Sequence, residues 1–247
     1  MDRMLYVAMS GAKQAMEQQA STANNMANTS TPGFRAQINE FRAVPVTGEE
    51  IGTRAFVVAT TPSANFNQGP VQDTGNPLDI AIRGDGWLAV TDANGQEAYT
   101  RAGNLRVGSD GQILAMGNYP VVGDGGGIVA PPGQALGIGA DGMVSARAVG
   151  DPNAVTVEVG RLKLVNPKTG DLVRGDDGLF RMREGLPAAD ADRTLTVTSG
   201  VIEQSNVNPV EAMVAMIANA RSFELQMKSI QTANENAQSA NKLLAYG

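Results

Sequence analysis

Three short groups of residues in this chain have the makings of a reaction centre. Ser10 and Lys13 stand one helical turn apart, Ser63 and Asn65 follow, and Lys168-Thr169-Gly170 comes last. A serine nucleophile activated by a lysine one turn away can run acyl transfer, and the three groups occur in the order such enzymes use. The surroundings oppose that reading. The acyl enzymes need a helical domain between the first and last groups, whereas the intervening chain here reads as short strands and glycine turns. Lys168-Thr169-Gly170 lies within Asn-Pro-Lys-Thr-Gly-Asp, which is turn composition. Asp85, Asp176 and Asp177 offer carboxylates for glycoside hydrolysis. Each is close to a glycine in a turn, where aspartate bonds its own backbone. Trp87 is expected in the core of its strand rather than as a platform for a sugar. No catalytic, cofactor or metal residue is assigned, and the chain is read as a non-enzyme.

Composition narrows the classes further. The 247 residues contain no Cys and no His, which removes thiolate chemistry, zinc sites built on nitrogen and sulfur, and histidine triads. A net charge of −6 argues against nucleic acid or an anionic membrane surface as partner. No segment is long and apolar enough to span a bilayer. The N-terminal apolar run is broken by Ser10, Gly11 and Lys13 before the core of a signal peptide would be complete. The chain is therefore expected in the cytoplasm, or outside it by a route without a cleaved signal.

The elements that position these residues fall into three zones. Residues 3–28 read as a helix about 38 Å long. Leu5, Met9, Ala12, Met16, Gln19, Ala23 and Met26 alternate spacings of four and three, the pattern of a coiled-coil seam. Residues 209–244 read as a longer helix, started by Asn208 as N-cap, Pro209 at the first position and Glu211 in the capping-box place. Its stripe runs through Val210, Met213, Ile217 and Ala220. It then changes register and continues as Phe223, Met227, Ile230, Asn234, Ala237, Asn241 and Leu244. Between the helices, β-like runs are expected at 55–60, 78–83, 87–91, 113–116, 155–159, 161–165 and 195–198. Asp-Gly and Asn-Gly pairs punctuate them as turns. The glycine-rich stretch 123–133 is expected to be a surface loop.

The fold class is α+β: long N- and C-terminal helices paired in a coiled-coil-like layer, with a β-rich middle domain. The divisions are 1–30 and 206–247 for the helical domain, 31–75 for an extended connection and 76–205 for the β domain. Two slender, alanine-rich helices bury too little surface alone to offset the entropy of ordering them. Other chains are expected to complete them.

Three motifs carry a family resemblance. Ala23–Asn28, Thr31, Gly33 and Phe34 match the Ala-Asn-Asn-x-Ala-Asn-x-x-Thr-x-Gly-Phe signature of bacterial flagellar rod proteins. Asn-Pro-Leu-Asp-Ile-Ala-Ile-Arg-Gly-Asp-Gly-Trp, from residue 76, resembles the entry to that family's β domain, with Trp87 where Phe is usual. The segment from Ser199 resembles the family's end signature. Together they cover about half the chain and resemble the rod, hook and hook-associated axial proteins. The proximal-rod members fit best, with distal-rod or hook-type members as the alternative; a serine acyl enzyme of penicillin-binding type is the remote one.

The resemblance implies a structural subunit that polymerises into the rod of the flagellar basal body. Partners would be identical copies, other rod proteins and the flagellar type III export apparatus, with no nucleic acid and no membrane insertion. The location would be the periplasm. The subunit interface is then expected at Leu5, Met9, Ala12, Met16, Ala23, Met26, Met213, Ile217, Ala220, Phe223, Met227, Ile230, Asn234, Ala237, Asn241 and Leu244, with the two seam asparagines fixing register. Asn24, Asn25 and Asn28 would bond neighbours where charges would repel their own copies. Thr31-Pro32-Gly33-Phe34 has the residues of a type II turn, with Gly33 taking the positive φ and Phe34 anchoring the extended segment after it. The turn is read as the chain's exit from the helical layer, so that altering Pro32 and Gly33 would leave the β domain folded.

Overall fold

The computed structural model describes residues 2–39, 41–45, 55–59, 63–149 and 155–245. The chain is α+β, with a helix at each end, α1 (Asp2–Ala27) and α2 (Pro209–Ala245), and a β-rich middle. It divides into two compact units, one of residues 1–28, 37–65 and 207–247, the other of residues 29–36 and 66–206. Among the described residues no helix is long and apolar enough to cross a membrane.

In the first unit α1 and α2 lie antiparallel. Asn219, near the start of α2, donates to the hydroxyl of Thr22, near the end of α1, at 3.1 Å. Closer to the start of α1, Gly11 faces Gln226, and a Cβ there would come within 2.8 Å of that side chain. Small residues permit this approach: Ala8, Ala12 and Ala15 are the buried apolar positions of α1. On α2 the less exposed positions Ala212, Met216, Asn219, Phe223, Gln226, Ile230 and Ala233 recur at spacings of four and three. The start of α2 follows its sequence signals. Asn208 Oδ1 accepts the N–H groups of Val210 and Glu211 at 3.0 and 3.4 Å, so the cap satisfies donors the helix leaves free. Two antiparallel pairs complete the unit, Phe41–Pro45 with Ala55–Ala59 and Gln37–Ile38 with Ser63–Ala64.

The second unit is built from antiparallel strands. Its largest sheet runs, in spatial order, Leu164–Val165, Trp87–Thr91, Glu97–Thr100, Phe180–Met182 and Leu172–Arg174. A second sheet holds Gln134–Ile138, Met143–Ala148 and Val157–Arg161. Ile80–Arg83 pairs with Thr196–Ser199, and Val71–Asp73 with Val201–Glu203. Alternate side chains of these strands point into one core that includes Ile80, Ile82, Leu88, Val90, Ala98, Ile113, Val144, Leu164 and Val197. Trp87 is buried, with Phe180 at 4.7 Å and Phe66 edge-on at 6.0 Å between ring centres. That is a core aromatic cluster, and the indole offers no face to a sugar.

Most Asp-Gly pairs act as turns for a simple reason. Asp110, Asp141 and Asp177 each accept the N–H two residues on, and the following glycine takes a positive φ of 83°, 78° and 80° respectively. The stretch 123–133 departs from expectation, because it is not simply a surface loop. Gly123 pairs with Gly126, and Ile128 and Ala130 are buried in the core while Val129 between them is exposed. Glycine-rich composition hid a two-residue alternation.

Asp92 anchors the turn between Trp87–Thr91 and Glu97–Thr100 in the large sheet. Its Oδ1 accepts the N–H groups of Asn94 and Gln96 at 2.9 and 2.8 Å, and its Oδ2 accepts Arg181 at 2.7 Å. The Arg181 hydrogen bond, helped by the backbone donors and opposed by burial, holds the carboxyl below its ordinary value. A depressed folded value means that this stabilisation is complete above the unfolded value and disappears as pH falls through the folded one. Asp92→Asn is expected to lower the urea midpoint at neutral pH. It should also lessen the acid-induced fall of that midpoint below the ordinary carboxylate range, as followed by the fluorescence of the single tryptophan, Trp87.

Candidate assembly surface

The seam read along α1 splits between two faces. Leu5, Gln19 and Met26 are half-buried and Ala12 is buried, on the side that also holds Ala8 and Ala15. Met9 and Met16 stand on another side, 51% and 60% exposed, beside Tyr6 at 56%; Ala23 is exposed as well. On α2 the stripe splits in the same manner. Phe223 and Ile230 are half-buried. Met213, Ile217, Ala220, Met227, Asn234 and Asn241 are exposed, Ile217 at 57%. Ala237 and Leu244 lie outside the residues whose side chains are described. Val210, Val214 and Leu225 extend the exposed apolar set, each over 60% exposed. The helical pair thus keeps a second apolar surface in water after its first is buried.

Two of the three amides of the N-terminal signature bond within the chain. Asn25 meets the backbone of Gln37 twice, accepting its N–H at 2.7 Å and donating to its carbonyl at 2.9 Å, much as a neighbouring strand would. Asn28 donates to the carbonyl of Asn24 at 2.8 Å. Asn24 is exposed.

Thr31-Pro32-Gly33-Phe34 forms a reverse turn. Phe34 N–H meets the Thr31 carbonyl at 3.2 Å, and Gly33 has φ +67°. Gly33 also donates to the Glu203 carbonyl at 2.8 Å, and a Cβ at its position would lie 2.3 Å from the backbone of Arg101 and Ala102. Phe34 is buried under the Arg174 guanidinium, 4.4 Å from its ring centre. The turn is therefore part of the β unit. The expectation that Pro32 and Gly33 could be altered without harm to that unit fails, because the glycine is pressed against its backbone.

Sequence reasoning missed the groups that hold this turn in place. Arg35, directly after Phe34, and Arg101 both pair with Glu203, and all three side chains are at most 3% exposed. Glu203 Oε1 takes Arg35 and the Gly69 N–H, the latter at 2.9 Å; Oε2 takes Arg101 Nη2 at 2.7 Å. Arg101 also donates to the carbonyls of Gly84, at 2.8 Å, Gly86 and Ile82. Burial pushes the Arg101 guanidinium below its ordinary value, with Glu203 opposing. Asn206 adds a further tie: its Oδ1 accepts Ala36 N–H at 2.7 Å and its amide donates to the Asn67 carbonyl at 2.8 Å. The residues leaving α1, those entering the β unit at 67–69 and those leading to α2 are thus bound into one polar joint.

Several of the residues weighed for catalysis are engaged within their own elements. Ser10 donates to the Val7 carbonyl at 3.0 Å within α1, and Lys13 pairs with Glu17 at 3.7 Å. Thr169 and Gly170 lie in a single 3₁₀ turn, and Asp177 is paired with Arg181 at 2.6 Å.

Comparison with known proteins places three matches along the chain. Residues 5–35 match the family described as flagella basal body rod protein. Residues 81–146 match the flagellar hook protein FlgE/F/G D1 domain, and residues 198–243 the flagellar basal body rod FlgEFG protein C-terminal region. Flagellar basal-body rod protein FlgF of Salmonella typhimurium is 50% identical, over 99% of both chains. FlgF of Escherichia coli K12 is 50% identical over the same shares. Flagellar basal-body rod protein FlgG of Buchnera aphidicola (Schizaphis graminum) is 29% identical over 89% of this chain and 91% of its own.

Gly33→Ala is expected to destabilise the β unit by more than about 2 kcal/mol, since a left-handed alanine and a backbone clash add. Urea unfolding read by Trp87 fluorescence measures it, and an unchanged midpoint would remove the turn from the unit.

Proposed function

The chain belongs to the FlgF-like flagellar basal-body rod proteins, and from that premise we propose that it polymerises, as a structural subunit of the proximal rod, into the helical shaft that carries motor torque to the hook. One observation carries the mechanism: after α1 and α2 have packed on each other, Met9, Met16, Val210, Met213, Val214, Ile217 and Leu225 still present apolar surface to water. A lone subunit gains nothing from that exposure. Burial against neighbours would recover about 25 cal/mol for each Å² of it.

On this reading residues 1–30 and 206–247 supply the packing helices, in a coiled-coil-like layer. Residues 76–205 supply most of the β domain, and residues 31–75 run between the two, with 31–36 and 66–75 packed in the β unit. Neighbours are identical copies and other rod proteins. Asn234 and Asn241, polar among apolar positions, penalise a helix that slides to a wrong register. The interface includes the half-buried Phe223 and Ile230 at the margin of the helical pair. The subunit reaches the periplasm as an unfolded chain through the flagellar type III export apparatus. It performs no catalysis and takes no cofactor. The distal-rod alternative is not favoured, given 50% identity to FlgF relatives against 29% to a FlgG relative.

In a motile strain lacking its own FlgF, the wild-type chain is expected to restore swimming and to co-purify with basal bodies. The Met9→Glu and Ile217→Glu double variant should fold, by circular dichroism, yet lose both. Normal swimming by that variant would refute the assignment of these faces to assembly.

A further inference from the structure

Arg35 and Glu203 are 168 residues apart in sequence yet meet in the core of the β unit. Two buried guanidiniums share one carboxylate there. Arg101 has three backbone carbonyls to fall back on if the carboxylate leaves. Arg35 is differently placed. Its Nη1 rests on Glu203, its Nε is buried without a hydrogen-bond partner, and the guanidinium carbon lies 6.0 Å from the centre of the Trp87 ring. Burying an unpaired guanidinium is strongly unfavourable, so Arg35 has no stable place in the core before Glu203 arrives. The neighbouring bonds depend on the same event. Gly33 donates to Glu203, Gly69 donates to its carboxylate, and Ala36 donates to Asn206, three residues further on.

We infer that the Arg35–Glu203 pair is a closing latch: residues 29–36 and 200–206 dock and undock together, as one local unit, on the strands of the β core. The charge imbalance sets the order of events. Without Glu203 the 29–36 segment favours water, where Arg35 is solvated; with it, the segment closes and Gly33 is pressed onto the backbone at 101–102. A chain that emerges amino terminus first cannot close the latch until residue 203 is present, which is just before α2 begins. The segment following α1 and the segment preceding α2 are then fixed in one step. The benefit to export and assembly rests on the reading of the chain as a rod subunit; the latch itself does not.

The test is hydrogen exchange on the purified full-length chain, resolved by residue. In Glu203→Gln the amides of Gly33, Ala36, Gln204 and Asn206 should exchange at least ~10-fold faster, while those of Val90, Ala98 and Val144 keep their wild-type protection. In the Glu203→Gln, Arg35→Leu double variant, where no cation is stranded on the 29–36 segment, the same four amides should exchange at least ~10-fold more slowly than in Glu203→Gln. Should Glu203→Gln fail to fold, the wild-type chain decides: the four amides should share one opening equilibrium and respond alike to low urea, opening more readily than Val90 and Val144. Equal exchange in the single and double variants, different opening equilibria for the two segments, or acceleration equal to that of Val90 and Val144, would overturn the latch. Neither readout requires a rod, so a failed latch and a failed assembly assignment are told apart by the swimming assay.

Discussion

One carboxylate shared by two guanidiniums is the constraint from which the rest of the β unit's geometry derives. A buried ion cluster is a poor source of net stability, because taking the charges out of water costs as much as their attraction returns. Its effect is on uniqueness. Arg35 and Arg101 can be buried together only where Glu203 lies between them, and Glu203 can be there only if Val201–Glu203 pairs with Val71–Asp73 in the observed register. Slipping that pair by one residue would turn Glu203 to the opposite face and leave two cations in the core. The position of the Thr31–Phe34 turn, the contact of Gly33 with the backbone at 101–102 and the stacking of Arg174 on Phe34 all depend on that register.

The helical unit obeys a different constraint, which is size. Among the described residues the buried positions of α1 are small, Ala8, Ala12, Ala15 and Ser21, so the helices approach closely but bury little area per residue. The larger apolar side chains, Met9, Met16, Ile217 and Leu225, are turned outward. Packing within the helical pair therefore leaves that apolar area in water. Asn25 shows the same economy on the polar side. Its amide serves as a strand partner for Gln37, so the chain leaves the helical pair without an orphaned backbone group and without a charge.

What the sequence revealed and what it hid divide along the range of the interactions. Both helices were legible to within a residue or so, because a 3.6-residue period and the Asn208-Pro209 cap are local signals. Trp87–Thr91 was legible as a continuous apolar run. Glu97–Thr100, Phe180–Met182 and Val201–Glu203 were not. The first and last contain a glutamate, and all are four residues or shorter, so no period can establish itself. Ile128 and Ala130 were lost among glycines. The apolar spacing on the helices looks like a single seam but contains two: residues seven apart share a face, those three or four apart step to either side of it, and only packing shows which face is inward.

The polar joint was the least legible feature for a physical reason. Nothing in Gly-Phe-Arg-Ala marks Arg35 as buried, since an arginine after a turn is normally solvated. Its burial is decided by a glutamate 168 residues away and an arginine that answers to the same carboxylate. Sequence motifs of this kind record the parts that fix local backbone shape, here the Pro-Gly turn, because those parts act over four residues. They omit the counterion. Gly33 connects the two scales: its positive φ can be read from the turn, but the Arg101–Ala102 backbone 2.3 Å from its missing Cβ cannot. A glycine whose need is only conformational tolerates a small side chain at modest cost, whereas one that also seals a buried ion cluster does not. The signature at the end of α1 is thus better understood as the near half of a long-range joint than as a free-standing exit from a helix.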